Sequence, residues 1–124
     1  MAGAVLPGAA LGRAAEAAGA SAAARVPIEA RVEISFLLGY VDGSACTFQR
    51  NGALHSAADA QSHLREKYAN LAARGQIASA EDFIGKVATR SSFTGEDYVV
   101  HCAAGTEMTS SAWLRVELAR LRGM

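Results

Sequence analysis

Apolar side chains recur at helical spacing in four stretches of this chain. The first stretch follows Pro27, and its apolar positions lie three or four residues apart, which places them on one helix face. The other three begin after Ser56, after Ser79 and near Thr109 or Ser110. Each of these residues has a side-chain oxygen that can accept from the free backbone N–H groups at a helix start. We therefore predict four helices with these buried stripes: Ile34, Leu37, Leu38 and Val41; Ala60, Leu64, Tyr68 and Leu71; Phe83, Ile84 and Val87; and Trp113, Leu114, Leu118 and Leu121.

Two short segments alternate with a period of two residues, which is typical of strands. They are "CTFQR" at residues 46–50 and "DYVVHC" at residues 97–102, and in each the even-numbered side chains share one face. Asn51-Gly52 follows the first segment and is a strong turn signal, because both residues tolerate positive φ. The glycine of Asp42-Gly43 is expected to end the first helix in the left-handed conformation.

The predicted order of elements is α-β-α-α-β-α, with no internal repeat. Two strands alone are marginally stable in water, so helices must cover at least one face of the ribbon. The sequence therefore predicts a small α+β domain over residues 27–124, in which a two-stranded antiparallel sheet packs against about four helices.

The amino-terminal segment, residues 1–26, is rich in alanine and unlike the remainder. It has the apolar run and the small residues of a secretory signal, but no basic residue precedes the apolar run, and Arg13 and Glu16 interrupt the residues after it. The alternative is a frayed or disordered tail, because alanine buries too little surface to offset the entropy of ordering. Both interpretations exclude the segment from the folded domain.

Charge and hydropathy restrict the class of protein. The 12 basic and 12 acidic side chains balance, which argues against a nucleic-acid binder, since such proteins carry a basic excess on one face. The chain has no apolar run of about 20 residues, so we predict no transmembrane segment. No standard catalytic, nucleotide-binding or metal-binding string is present, and we expect neither a cofactor nor a metal ion.

The two cysteines test the pairing of the predicted strands. If Cys46 lies opposite Cys102 in an antiparallel pair, Phe48 faces Val100 and the apolar residues fall on one side. Opposed strand residues have Cα separations within the disulfide range, so this register allows a bridge. Two alternatives remain open, namely a pair of free buried thiols and a zinc site that adds histidines to the cysteines. A disulfide would imply an oxidising compartment, because cytosolic thiols stay reduced.

Several short blocks in the same order resemble the YfeK-like proteins, a family of unknown function. The blocks are "CTFQRNG", "SAADAQSHLREKY", "SAEDFIGKVATRSSFTGEDYVVHC" and a closing Trp-Leu helix, together spanning about residues 28–122. The resemblance implies a small, mostly proteobacterial protein of the cell envelope, and it implies no reaction. Gln49 departs from the family pattern, and so does the amino end, which lacks a basic region. The matching positions are Arg50, Asn51, Gly52, His63, Leu64, Lys67, Phe83, Ile84, Ser92, Gly95 and Tyr98.

A polar edge on the second helix and the preceding turn is the best candidate site. Asp59, His63 and Lys67 lie four residues apart and share one helix edge, where the carboxylate would orient the imidazole and the lysine would lower its pKa. Arg50 and Asn51 offer a forked cation and an amide to a carboxylate, phosphate or sugar. Structural roles compete for each of these residues: a half-buried histidine at the helix–sheet seam, an arginine over Tyr98, and a turn asparagine.

Other reactive or aromatic side chains have simpler interpretations. Ser91 and Ser92 precede a glycine turn and are expected to cap backbone N–H groups rather than act as nucleophiles. Phe93 and Trp113 are expected in the core. We therefore predict a noncatalytic module that binds an unknown protein or small ligand, in the periplasm or secreted, with a cytoplasmic location as the alternative. A small hydrolase-like enzyme using His63, and a purely structural accessory protein, are the competing functions.

Overall fold

The computed structural model describes residues 25–124. Residues 1–24, which make up most of the predicted amino-terminal segment, lie outside this description. Four helices and four strands follow in the order α1 (Ile28–Gly43), β1 (Thr47–Arg50), β2 (Ala53–His55), α2 (Ala57–Ala73), α3 (Ala80–Lys86), β3 (Val99–His101), β4 (Glu107–Thr109) and α4 (Ser110–Leu121). A single 3-10 turn at Ala103–Gly105 joins β3 to β4. The α+β class is confirmed.

The sheet has four antiparallel strands in the order β2-β1-β3-β4, so the prediction of two strands was wrong. The register predicted for the central pair is confirmed, with Phe48 opposite Val100. The strands missed are β2 and β4, which lie at the two edges and have three residues each. Asn51 and Gly52 have φ of 52° and 80°, and they join β1 to β2 in the tight hairpin that an Asn-Gly pair favours.

The disulfide between Cys46 and Cys102 is present, which excludes both free thiols and a zinc site on these cysteines. The sulfur atoms are 2.05 Å apart and the Cα atoms 4.4 Å apart. The bridge lies one position beyond the pair Thr47 and His101, as the predicted register requires. It links β1 to β3 across 56 residues of sequence, a span that contains β2, α2 and α3.

One face of the sheet packs against the helices, and this side contains the core. Phe48 and Val100 point into it and meet the predicted helix stripes, of which Ile34, Leu37 and Leu114 are almost wholly buried. Trp113 joins the sheet to α1, because its ring lies 5.6 Å from Phe48 and 4.5 Å from Tyr40. Val26, which precedes α1, is also buried in this core.

The predicted helix starts are confirmed by side-chain caps. Ser56, Ser79 and Thr109 each accept a hydrogen bond from the backbone N–H three residues later, at 3.0 to 3.2 Å. The end of α1 differs from the prediction, since the left-handed residue is Ala45 (φ 58°) rather than Gly43. Within residues 25–124, no helix is long and apolar enough to cross a membrane.

Arg122, just beyond α4, fastens three helices together. It donates to Glu33 of α1 at 2.7 and 2.8 Å and to Glu81 of α3 at 2.6 and 3.1 Å. These hydrogen bonds lower the pKa of both carboxyl groups. A cation near the carboxyl end of a helix is stabilised by the negative end of the helix dipole. In addition, the planar guanidinium of Arg122 hydrogen-bonds two carboxylates at once.

Candidate functional site

Three of the predicted site residues meet around Tyr98. Arg50 Nη1 lies 3.1 Å from His63 Nδ1, and His63 Nε2 lies 3.2 Å from the Tyr98 hydroxyl oxygen. Lys67 Nζ is 3.4 Å from the same hydroxyl oxygen and 5.4 Å from the centre of the Tyr98 ring. An imidazole and an ammonium group therefore contact one phenol, and a guanidinium contacts the imidazole.

The fold places these side chains through two simple relations. His63 and Lys67 are one helical turn apart on α2, so they share a face. Arg50 ends β1, and Tyr98 lies one position beyond the last β1–β3 pair, Gln49 with Val99. The two strands thus bring Arg50 and Tyr98 together beneath the helix edge that carries His63 and Lys67.

Arg50 Nη1 lies close to both ring nitrogens of His63, 3.1 Å from Nδ1 and 3.3 Å from Nε2. A guanidinium only donates, so we assign the nearer nitrogen, Nδ1, as its acceptor. A neutral ring then carries its proton on Nε2 and donates to the Tyr98 oxygen. Lys67 also donates to that oxygen. Because the Tyr98 oxygen accepts from both, its own hydrogen remains available to donate to a ligand.

Burial and nearby positive charges favour the neutral form of His63. Burial, and next the positive charge of Arg50, lower the pKa of His63 below its ordinary value, and Lys67 acts in the same direction. Burial also lowers the pKa of Lys67 and raises the pKa of Tyr98. Each of these effects reflects the cost of holding a charged form in a partly desolvated place.

Neither cation at this site has a carboxylate partner within residues 25–124. Arg50 contacts His63, and Lys67 donates to the backbone oxygen of Arg90 at 2.9 Å. Neither of them belongs to the ion pairs of the described chain. Glu66 lies at the rim of the same cleft without pairing with them. The site therefore presents net positive charge to whatever enters it.

Asn51 and Asp59, also predicted as binding residues, lie apart from this cluster. The Asn51 side-chain oxygen accepts from Thr94 Oγ1 at 2.6 Å, which ties the hairpin turn to the loop before β3. Asp59 is exposed, and the expected contact with His63 is absent, because the polar partners of His63 among the described residues are Arg50 and Tyr98. The four-residue spacing puts Asp59 and His63 on one helix face, but it does not fix the direction of the Asp59 carboxylate.

Arg50, His63 and Tyr98 separate two cavities. The cavity on the side of Asp59 and His55 has a volume of about 40 Å³, enough for a few water molecules. The other, which we call the Tyr98 cleft, has a volume of about 220 Å³ and is bounded by Arg50, His63, Lys67, Ser92, Phe93 and Tyr98. The Tyr98 cleft has room for a small organic group.

The sequence did not identify two features of this site. The strand pattern places Tyr98 on a buried face. It does not indicate that the Tyr98 hydroxyl forms hydrogen bonds with both His63 and Lys67. Phe93 was expected in the core, but it is exposed and lines the Tyr98 cleft, whereas Trp113 is buried as expected. Within residues 25–124, no three His, Cys, Asp or Glu side chains are grouped to hold a metal ion.

Comparison with known proteins gives a family and no activity. A family of unknown function, DUF5329, matches residues 28–122 of this chain. The uncharacterised protein YfeK of Salmonella typhimurium strain LT2 is 52% identical over 52 residues, which cover 42% of this chain and 42% of that protein. The matched part thus spans less than half the length of this curated relative. No solved structure matches the chain.

Proposed function

We propose that this chain, which belongs to the DUF5329 family of unknown function, is a noncatalytic binding domain that takes an anionic group into the Tyr98 cleft. The observation that carries the proposal is the meeting of Arg50 and Lys67 at Tyr98 with no carboxylate partner among the described residues. Cations that are partly removed from water are stabilised by an anion, and here the anion must come from a ligand.

A carboxylate or phosphate oxygen suits the donors of the Tyr98 cleft. Arg50 has a forked set of N–H donors, Lys67 adds a point charge, and the Tyr98 hydroxyl retains a hydrogen to donate. Hydrogen bonds to ionised groups are about twice as strong as bonds between neutral groups. The cleft therefore favours an anion over a neutral ligand of the same shape.

We place the domain outside the cytoplasm, in the periplasm or secreted. The disulfide supports this location, because such bonds persist in oxidising compartments and are rare in the cytosol. The resemblance to envelope proteins and the signal-like composition of residues 1–26 point the same way. A cytoplasmic location is the alternative.

A hydrolase that uses His63 is the second candidate, because Ser92 and His63 line the same cleft. Among the described residues, no hydrogen bond joins the Ser92 hydroxyl to His63, whose partners are Arg50 and Tyr98. Burial also lowers the pKa of His63, which makes the imidazole a weaker base. Ser91, the other serine of the cleft, accepts from the N–H of Phe93 at 3.1 Å, a capping role. A purely structural role would leave the cleft without a ligand.

Substitution of Arg50 by glutamine is expected to weaken the binding of acetate about tenfold, since one charge-assisted hydrogen bond to the anion is lost. The measurement is a titration of the 15N-labelled domain followed by two-dimensional NMR, at constant ionic strength set with sodium chloride. In the unsubstituted domain, the residues whose signals shift should be those lining the Tyr98 cleft.

The matched control is Arg65→Gln, which removes the same charge from an exposed position on α2 outside the cleft. Acetate affinity should change less than twofold in this variant, because surface charges act weakly through solvent. Glu66→Gln should strengthen binding, because it removes a negative charge from the rim. Equal losses in Arg50→Gln and Arg65→Gln, or no saturable shift in the unsubstituted domain, would refute the proposal.

A further inference from the structure

Phe93 is the most exposed large aromatic side chain of the described residues, and it lies at the mouth of the Tyr98 cleft. Its side chain is 91% exposed. Single exposed apolar residues are common on protein surfaces and need no explanation by themselves. This one lines the same cavity as Arg50 and Lys67, so an apolar ring stands beside the two unpaired cations.

The loop that carries Phe93 is held in place by a set of hydrogen bonds. The buried Ser91 hydroxyl oxygen accepts from the N–H groups of Phe93 and Thr94, at 3.1 and 3.4 Å. The backbone of Ser91 pairs with Glu96 and Gly95, each at 2.9 Å. Thr94 donates in turn to Asn51 on the hairpin turn. The ring is therefore presented to solvent from a fixed backbone.

From this arrangement we infer that the ligand carries a carboxylate next to an aromatic or similarly flat apolar group, and that Phe93 binds the second part. The inference rests on the proposed function, since the carboxylate is placed on Arg50, Lys67 and the Tyr98 hydroxyl. A phenylalanine ring on a fixed backbone has only two side-chain torsions to restrict when another ring packs on it, which makes Phe93 a suitable contact.

The Tyr98 cleft favours this ligand over a bare inorganic anion. Its volume of about 220 Å³ exceeds what a carboxylate alone fills, and the rings of Phe93 and Tyr98 form part of its lining. An inorganic phosphate would leave Phe93 uncovered. Two kinds of ligand carry a carboxylate next to an aromatic ring in this way: a free aromatic acid, and a peptide whose last residue is phenylalanine.

The test compares three probes by NMR titration of the full-length protein: acetate, 3-phenylpropionate, and the acetylated tripeptide Ala-Ala-Phe with a free carboxyl end. We expect 3-phenylpropionate to bind about five- to tenfold more tightly than acetate, the gain typical of an aromatic pair. In Phe93→Ala, 3-phenylpropionate and acetate should bind with about equal affinity, because the aromatic contact is lost. Leu54→Ala, which truncates another exposed apolar side chain outside the cleft, should change neither affinity.

The outcomes separate this inference from the proposed function. If acetate binds through Arg50 but 3-phenylpropionate binds no more tightly, or if Phe93→Ala has no effect, the aromatic contact is refuted and the anion site stands. If none of the probes binds, the proposed function itself fails. Tripeptide binding that is lost in the C-terminal amide identifies a peptide chain end as the source. Exclusion of the tripeptide, with the aromatic acid still bound, identifies a small acid.

Discussion

Replacing Cys46 and Cys102 together by alanine is expected to lower the free energy of unfolding by about 4 kcal/mol. The bridge closes a loop across 56 residues, and opening it returns conformational entropy to the unfolded chain. Alanine avoids placing a hydroxyl at the buried Cys46 position, where it would add a cost of its own. Urea unfolding followed by Trp113 fluorescence gives the free-energy difference.

Reduction of the unsubstituted domain is the matched control for this variant. Dithiothreitol breaks the same bond without removing a sulfur atom, so it should reproduce most of the loss. Small domains have a total stability of about 5–15 kcal/mol, and a loss of this size leaves little reserve. A change below about 1 kcal/mol in both experiments would show that the strands hold their pairing without the bridge.

Replacing Phe83 by alanine is expected to cost about 3–5 kcal/mol of stability, whereas replacing Phe93 by alanine should change it by less than about 0.5 kcal/mol. The chemical change is identical and only burial differs, since Phe83 is fully buried and Phe93 is exposed. Phe83 also packs edge-on against Tyr68, at 5.7 Å between ring centres. Urea unfolding followed by circular dichroism measures both variants.

The stability of the Phe93→Ala variant also bears on the interpretation of the binding site. If Phe93→Ala proves as destabilising as Phe83→Ala, the Phe93 ring contributes to folding, and a loss of binding in that variant would no longer identify a ligand contact. If its stability is unchanged, the effect of Phe93→Ala on ligand affinity can be assigned to the ring itself.

The helices and the central strand pair were predictable from sequence because burial and caps leave periodic signals. The stripe of Ile34, Leu37 and Leu38 predicts a helix face, and Ser56 and Ser79 mark helix starts. One assumption, Cys46 opposite Cys102, fixed the register of β1 and β3, because an antiparallel pair has a constant sum of position numbers.

The edge strands β2 and β4 left no such signal. In β2 both Ala53 and Leu54 are exposed, and in β4 the single residue Met108 packs against the core, so three residues give too short a pattern to mark either strand. Backbone pairing with β1 and β3 holds them in the sheet, and backbone hydrogen bonds do not depend on side-chain type. The Asn51-Gly52 pair was the remaining clue, because it favours a hairpin rather than a simple turn into a helix.

The candidate site was predictable in part, because residue spacing in helices and strands determines which positions share a face. Helical spacing placed His63 beside Lys67, and the strand register placed Arg50 beside Tyr98. Which of these groups would touch depended on side-chain directions that spacing does not fix. Asp59, although one helical turn from His63, therefore makes no hydrogen bond to it. The Asn51 side chain instead contacts Thr94.

Titration of the His63 imidazole by NMR, with and without saturating acetate, tests the anion site most directly. In the free domain, burial and Arg50 hold its pKa below the ordinary value of 6.5. An anion beside the ring stabilises the protonated form, so acetate should raise this pKa, and by linkage acetate should bind more tightly as the pH falls through that range. A His63 pKa that saturating acetate leaves unmoved would contradict the anion site.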